Sequence, residues 1–152
     1  MNRVGQGWWP SIVRIVMGAY WLFFASQKWT GVEWMKPLMR AAAASNPVPG
    51  LHQILSLVVA PNWEPFAIAQ AAGETAVGVL LVVGVGTRWA ALAGILLALN
   101  LCLTVAPLNS DGFRWMYVLA LLVNVDVAVQ GPGRLALERL TLAPGWRGGG
   151  AR

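Results

Sequence analysis

Four apolar segments, each about 20 residues long, constrain the fold of this 152-residue chain more than any other feature. A helix of that length crosses the hydrocarbon core of a bilayer. The composition agrees, because 57% of the residues are hydrophobic and 11% are charged, which leaves little polar surface to face water. The sequence therefore predicts an all-α integral membrane four-helix bundle, with its helices at about Pro10 to Trp29, Trp63 to Val85, Trp89 to Ala106 and Phe113 to Gln130.

The connections between these segments differ in length. We interpret residues 1–143 as one transmembrane domain and expect the Gly- and Arg-rich tail, 144–152, to be disordered. The first connection is long and contains two apolar stretches, Trp34 to Ala44 and Leu51 to Ala60, which are too short to span a bilayer. These stretches are predicted to lie on the membrane face or to dip into it, and residues 134–140 predict a short amphipathic helix at the interface.

The basic residues are scattered near the ends of the apolar segments, as topology signals are. The net charge of +5 therefore does not indicate a nucleic-acid partner, and the lipid bilayer is the predicted surroundings. The side that holds both termini and the turn between the second and third segments carries more Lys and Arg than the other side. The sequence predicts a multi-pass protein of a prokaryotic plasma membrane, with both termini in the cytoplasm and the long first connection outside.

The chain has one cysteine, Cys102, and one histidine, His52. A thiol pair, a haem with two histidine ligands and a His/Cys zinc site are therefore not expected within one chain. The sequence also contains no flavin-binding or iron–sulfur motif, and no metal site is predicted. Electron transfer would then depend on a mobile quinone or on a cofactor of a partner protein.

Polar side chains on the second and third segments are predicted to meet near mid-membrane. We place the centre of the connecting turn at Thr87. Glu74 then faces Asn100, one helical turn from a second layer in which Gln70 faces Thr104. A charged group at membrane depth costs about 2.5–3.5 kcal/mol and is a functional candidate. With no basic partner predicted at its depth, Glu74 is interpreted either as a proton-exchanging group or as a packing residue.

The first segment carries a second polar stripe. Spacings of three and four residues place its members on one helix face, and Gly18 on that face allows a neighbouring helix to approach closely. Arg14 lies at about the same depth as Asp126 of the fourth segment, and we predict that these two form a bundle-fixing ion pair. The stripe consists of Arg14, Gly18, Trp21, Ala25 and Lys28.

Three groups of residues resemble the DoxX/DoxD family of four-helix membrane proteins. The resemblance covers most of the chain, and the long first connection is more similar to the DoxD branch. The groups are Arg14 to Gly18 followed by Lys28, then Gly73-Glu74 followed by Gly78 to Gly84 and Thr87-Arg88, and finally Gly131 to Glu138.

The resemblance implies a role beside quinones, because DoxD-type proteins are described as membrane subunits of thiosulfate:quinone oxidoreductase that share the donor site with a second polypeptide. The expected function is a quinone-interacting membrane subunit of a thiosulfate- or sulfur-linked oxidoreductase. Glu74 is the expected proton-exchanging group, and Gln70, Asn100 and Thr104 are expected to hold a quinone carbonyl.

Lys28 and Arg40 lie at the predicted outer face, where they attract an anionic donor such as thiosulfate or anchor the chain to lipid headgroups. Two other functions stay open. The chain is either a non-catalytic assembly subunit of a membrane redox complex, or a small transporter or channel-like oligomer. A partner subunit, a homo-oligomer or both are expected.

Overall fold

The computed structural model describes residues 7–109 and 111–138. Within these ranges the chain is helical and has no strand, which confirms the predicted all-α class. A π-helical turn, Leu55–Val59, extends the third helix, and a 3-10 turn, Ala106–Leu108, follows the fifth. The α-helices are α1 (Trp8–Trp29), α2 (Met35–Ser45), α3 (Pro49–Ile54), α4 (Trp63–Val83), α5 (Thr87–Thr104) and α6 (Asp111–Gln130).

Three stretches are long and apolar enough to cross a membrane, namely α4, α5 with its 3-10 turn (Thr87–Leu108), and α6. Helix α1 has 22 residues but is not among these three. The four predicted apolar segments correspond to α1, α4, α5 and α6, with boundaries that shift by about two residues at several ends.

Helix α1 packs mainly along α4, while α5 packs along α6 and also along α4. Hydrogen bonds from Arg14 of α1 to the last turn of α4 and to Leu135 bring three parts of the chain to one end of the molecule. We call this the turn end, because the α4–α5 connection, Gly84–Gly86, lies there. The start of α1 and the end of α6 lie there too.

Helices α2 and α3 with the π-helical turn form a cap at the opposite end. Ala42, Ala43 and Leu55 are buried at the contact between the two arms of this cap. The Asn46 side chain donates a hydrogen bond to the Leu103 carbonyl oxygen (2.8 Å), which fastens the cap to α5. The two short apolar stretches of the first connection thus form helices, and their placement on a membrane face stays a prediction.

The α4–α5 turn corrects one part of the sequence analysis. Gly84 and Gly86 both adopt the left-handed conformation (φ 77° and 56°), which glycine reaches without a steric penalty. Because α4 ends at Val83 and α5 begins at Thr87, the turn centres on Val85 and not on Thr87. The predicted pairing across the hairpin is wrong by about half a helical turn on each helix.

The chain after α6 folds back over the turn end. Residues 131–138, which we call the clasp segment, bury Ala136 to 1% exposure against Gly84. The predicted amphipathic helix at residues 134–140 lies partly outside the described residues, and the tail at 144–152 lies wholly outside them.

Helices α1 and α4 cross in close contact at Gly18 and Gly78. A Cβ atom at Gly18 would lie 2.7 Å from Val82 Cγ2 and 2.9 Å from the Gly78 carbonyl oxygen. A Cβ atom at Gly78 would lie 2.7 Å from Leu22 Cγ. The close approach predicted at Gly18 is confirmed, and each position has room for hydrogen alone.

We expect Gly18→Ala to lower the free energy of unfolding by about 1–3 kcal/mol, because the added methyl group overpacks the α1–α4 crossing. Gly50→Ala is the matched control, since a Cβ atom there meets nothing within 4 Å. Thermal unfolding in detergent compares the two variants. Equal melting temperatures for them would contradict the close crossing.

Candidate ligand cavity

A cavity of about 410 Å³ lies between the cap and the long helices. Its volume falls in the range of about 300–1,000 Å³ that small-molecule sites occupy. Cap residues such as Met39 and Leu55 cover it on one side. Its aromatic lining comes from Tyr20, Trp21, Phe24, Trp34, Phe66, Phe113 and Tyr117, and its polar lining from Gln27, Lys28, Gln70, Glu74, Asn100 and Thr104.

A buried ion pair forms one wall of the cavity. Lys28 Nζ of α1 lies 2.6 Å from Glu74 Oε2 of α4, and their side chains are 7% and 0% exposed. This corrects two predictions, because Glu74 does have a basic partner and Lys28 does not face outward to attract an anion. The antiparallel crossing of α1 and α4 explains the result, since it brings the end of α1 beside the middle of α4.

A chain of side-chain amides extends the ion pair toward α5. Gln70 Nε2 donates to Glu74 Oε1 (2.9 Å), and Asn100 Nδ2 donates to Gln70 Oε1 (3.2 Å). Thr104 donates its hydroxyl to the backbone carbonyl of Asn100 (2.7 Å). The predicted convergence of these four residues is confirmed, but Asn100 pairs with Gln70 instead of Glu74, as the corrected turn requires.

Trp21, which lines the cavity, is held in place by Asn124, and both side chains are fully buried. The Trp21 indole N–H donates to Asn124 Oδ1 at 3.4 Å, and Asn124 Nδ2 donates to the Ala120 carbonyl oxygen at 2.7 Å. Gly94 of α5 leaves the space that the Asn124 amide fills. Asn124 therefore links α6 to α1 by hydrogen bonding.

The predicted ion pair between Arg14 and Asp126 is not formed. Asp126 is exposed on the other face of α6, where its carboxylate accepts a hydrogen bond from Gln130 Nε2 (2.5 Å). Counting residues along α1 and α6 gives the depth of the two side chains. It does not give the face of α6 on which Asp126 lies.

Arg14 instead donates to backbone carbonyl oxygens while fully buried. Its Nη1 donates to Leu81 and, at 3.1 Å, to Val82 in the last turn of α4. Its Nε and Nη2 donate to Pro132 (3.1 Å) and Leu135 (3.0 Å) of the clasp segment. The last carbonyls of a helix have no partner within it and carry partial negative charge, so a guanidinium group is well placed there.

Sequence reasoning missed the partners that close the turn end. Ser11 is fully buried, and its hydroxyl accepts a hydrogen bond from the Leu135 N–H (3.1 Å). Gly133 has φ 68° and lies so close to Ser11 that a side chain would collide with it. The N–H of Thr87 donates to Glu138 Oε2 (3.2 Å). The two glycines of the Gly-Pro-Gly sequence were the sequence feature that could have predicted the close contact with Ser11.

Two further residues with predicted or possible roles are placed by the structure. Arg40 lies exposed on α2 and is not part of the cavity wall. Tyr20, which the sequence analysis did not select, lines the cavity beside Phe24, with ring centroids 4.8 Å apart. The sequence feature that could have indicated Tyr20 was the spacing of four residues between two aromatic side chains on α1.

Within the described ranges, no three His, Cys, Asp or Glu side chains lie together as metal ligands.

The apolar helices, the ligand-sized cavity and the ion pair on its wall define a helical membrane protein with an internal cavity. The model of the DoxX family matches residues 10–107, and the chain belongs to that family. The match includes the ion pair and the amide chain and ends before α6. No curated protein matches the chain, and no solved structure does.

The Lys28–Glu74 pair gives a double-mutant prediction. We expect Lys28→Met or Glu74→Gln alone to lower the free energy of unfolding by about 3–5 kcal/mol, because each leaves a buried charge unpaired. The double variant should lose much less than the sum of the two single losses. Unfolding in mixed detergent micelles measures all three.

Asp111→Asn is the control, since its pair with Arg114 is exposed (3.4 Å) and should contribute less than about 1 kcal/mol. Strictly additive losses at Lys28 and Glu74 would mean that the two side chains do not interact.

Arg14→Lys should also be strongly destabilising, although it conserves the charge. A lysine ammonium group cannot donate to four carbonyl oxygens on two segments, as the planar guanidinium does. We expect faster protease cleavage after residue 130 in the variant than in wild type, detected by mass spectrometry. Unchanged cleavage would show that the clasp segment is held without Arg14.

Proposed function

We propose that this chain is the quinone-binding membrane subunit of a thiosulfate- or sulfur-linked oxidoreductase. One observation carries the proposal: a ligand-sized cavity has a buried ion pair and an amide chain on one wall and aromatic rings on the others. A quinone is a flat apolar ring with two carbonyl oxygens. Aromatic side chains suit its faces, and N–H donors suit its oxygens. Membership of the DoxX family supports a redox role beside quinones.

Each polar residue has a role in this proposal. The Lys28 ammonium group and the amides of Gln70 and Asn100 are donors to a quinone carbonyl, and Thr104 holds α5 in register beneath Asn100. Reduction of a quinone to a quinol takes two electrons and two protons. Glu74 exchanges protons with the quinone oxygen, and Lys28 stabilises the negative charge that develops there. The two electrons come from a donor oxidised on a partner polypeptide, as when two thiosulfate ions join to form tetrathionate.

The membrane placement belongs to the same proposal. Helix α1 spans the bilayer with α4, α5 and α6, because it packs along α4 and turns its two charged side chains inward, where both are paired. The turn end, which holds the start of α1 and the end of α6, faces the cytoplasm of a prokaryote. The cap then faces outward, with Arg40 exposed on it as the residue that attracts an anionic donor.

One observation favours a second function, that of a non-catalytic assembly subunit. Both oxygens of Glu74 already accept hydrogen bonds, from Lys28 and from Gln70. A pair satisfied in this way fixes α1 to α4 without any ligand. In that role the exposed face of the cap is the docking surface for the partner enzyme.

Quinone binding to the protein in nanodiscs tests the proposal. The variant to compare with wild type is Lys28→Met/Glu74→Gln, because it removes both charges without leaving one unpaired. We expect saturable binding of a benzoquinone to wild type and binding weaker by about tenfold, or about 1.4 kcal/mol, in the variant.

Arg40→Gln is the matched control for this measurement. It removes a positive charge outside the cavity wall, so its quinone affinity should equal that of wild type. Quinone uptake by wild type no greater than by empty nanodiscs would reject the proposal and favour the assembly role. Equal affinity in wild type and the double variant would reject the assignment of the ion pair to the quinone site.

A further inference from the structure

A groove of about 600 Å³ runs along the outer surface of α4 and α5. It extends from Phe66 to Leu80 on α4, a distance of about 21 Å at the helical rise per residue. Small side chains leave it open, namely Ala69, Gly73 and Ala76 of α4 and Ala93 of α5. A surface of this kind on two membrane-crossing helices faces lipid.

The groove adjoins the cavity, because Phe66, Gln70 and Asn100 line both. Two of these three shared residues are the amides that are hydrogen-bonded to each other across the α4–α5 hairpin. The boundary between the groove and the cavity is therefore a polar contact flanked by one aromatic ring.

The amide of Asn100, at the boundary between the groove and the cavity, is unusual for a lipid-facing position. Asn100 is exposed on α5, although a polar side chain in contact with hydrocarbon is costly. From Asn100 a line of hydrogen bonds leads inward through Gln70 and Glu74 to Lys28, with lengths of 3.2, 2.9 and 2.6 Å. An acyl chain packed in the groove would offer no hydrogen-bond partner to this polar end. A molecule with a polar head and an apolar tail would pack its tail in the groove and hydrogen-bond through its head.

We propose that the quinone enters from the bilayer between α4 and α5, and that its apolar tail lies in this groove while its ring occupies the cavity. The inference rests on the proposed function and specifies its ligand as a quinone with a long apolar tail. The groove adds position and orientation more than affinity, because a tail that leaves lipid for an apolar groove gains no hydrophobic free energy. The decisive measurement is therefore where the tail lies.

The probe is a benzoquinone whose decyl chain ends in a photoreactive diazirine, used with the full-length protein in nanodiscs. After illumination, mass spectrometry maps the adducts. We expect them on the groove faces of α4 and α5, and we expect excess unlabelled decylbenzoquinone to displace them. A diazirine-labelled alkane without a headgroup should mark all lipid-exposed faces alike, including Val16 of α1, which is 62% exposed.

Ala76→Leu/Ala93→Leu fills the groove from two exposed positions without entering the cavity wall. In this variant the groove adducts should fall to the level found at Val16. Ala72→Leu is the matched control, since Ala72 is exposed on α4 but lies outside the groove, and its adduct map should match wild type.

The outcomes separate this inference from the function on which it rests. Saturable binding of a tail-less dimethoxy-methyl-benzoquinone, together with decyl adducts spread evenly over the exposed faces, would overturn the groove assignment and leave the quinone site standing. Groove adducts that excess quinone does not displace would overturn it too, as would cross-linked dimers of the chain through the groove. Absence of binding by either quinone would overturn the proposed function itself.

Discussion

The backbones of α1 and α4 are in direct contact at Gly18 and Gly78. The partners of the buried charged residues Arg14, Lys28 and Glu74 follow from this contact. Two helices that cross so closely fix the depth of each residue on one against the other. Arg14 then meets the open carbonyls at the end of α4, and Lys28 meets Glu74. The two cations are separated by about 21 Å along α1. The close crossing at the two glycines therefore fixes the partners of both cations, one near each end of α1.

The two buried cations are neutralised in different ways. Arg14 donates its hydrogen bonds to backbone carbonyl oxygens, and the Glu138 carboxylate of the clasp segment interacts with it electrostatically. Lys28 instead donates a hydrogen bond to the Glu74 carboxylate, a side chain of α4. The Lys28–Glu74 pair lines the cavity, whereas the network around Arg14 lies at the other end of α1 and does not line it. The two ends of the bundle therefore differ in the hydrogen-bond acceptors that each cation meets, which are backbone carbonyls at Arg14 and a carboxylate at Lys28.

Much of this arrangement could be predicted from residue spacing alone. The buried stripe on α1 follows from helical periodicity, and Arg14, Trp21 and Lys28 all lie on it as expected. The meeting of Gln70 with Asn100 follows from the short hairpin once its centre is known. Sequence could not supply that centre, because Thr87 is compatible with either a turn or a first helical position. Nor could it supply partners between helices that are distant along the chain. The depth of Asp126 suggested a pair with Arg14, but the rotation of α6 about its axis, which packing alone decides, turns that carboxylate outward.

The clasp segment also orders events during biosynthesis. Arg14 is synthesised well before two of its acceptors, because Pro132 and Leu135 follow it by 118 and 121 residues. Helix α1 must pack against α4 while its guanidinium group has only part of its final set of acceptors. The ribosome must therefore translate almost the whole described chain before the turn end is sealed. A nascent chain that stops short of Pro132 therefore lacks two of the four carbonyl acceptors of this buried guanidinium group.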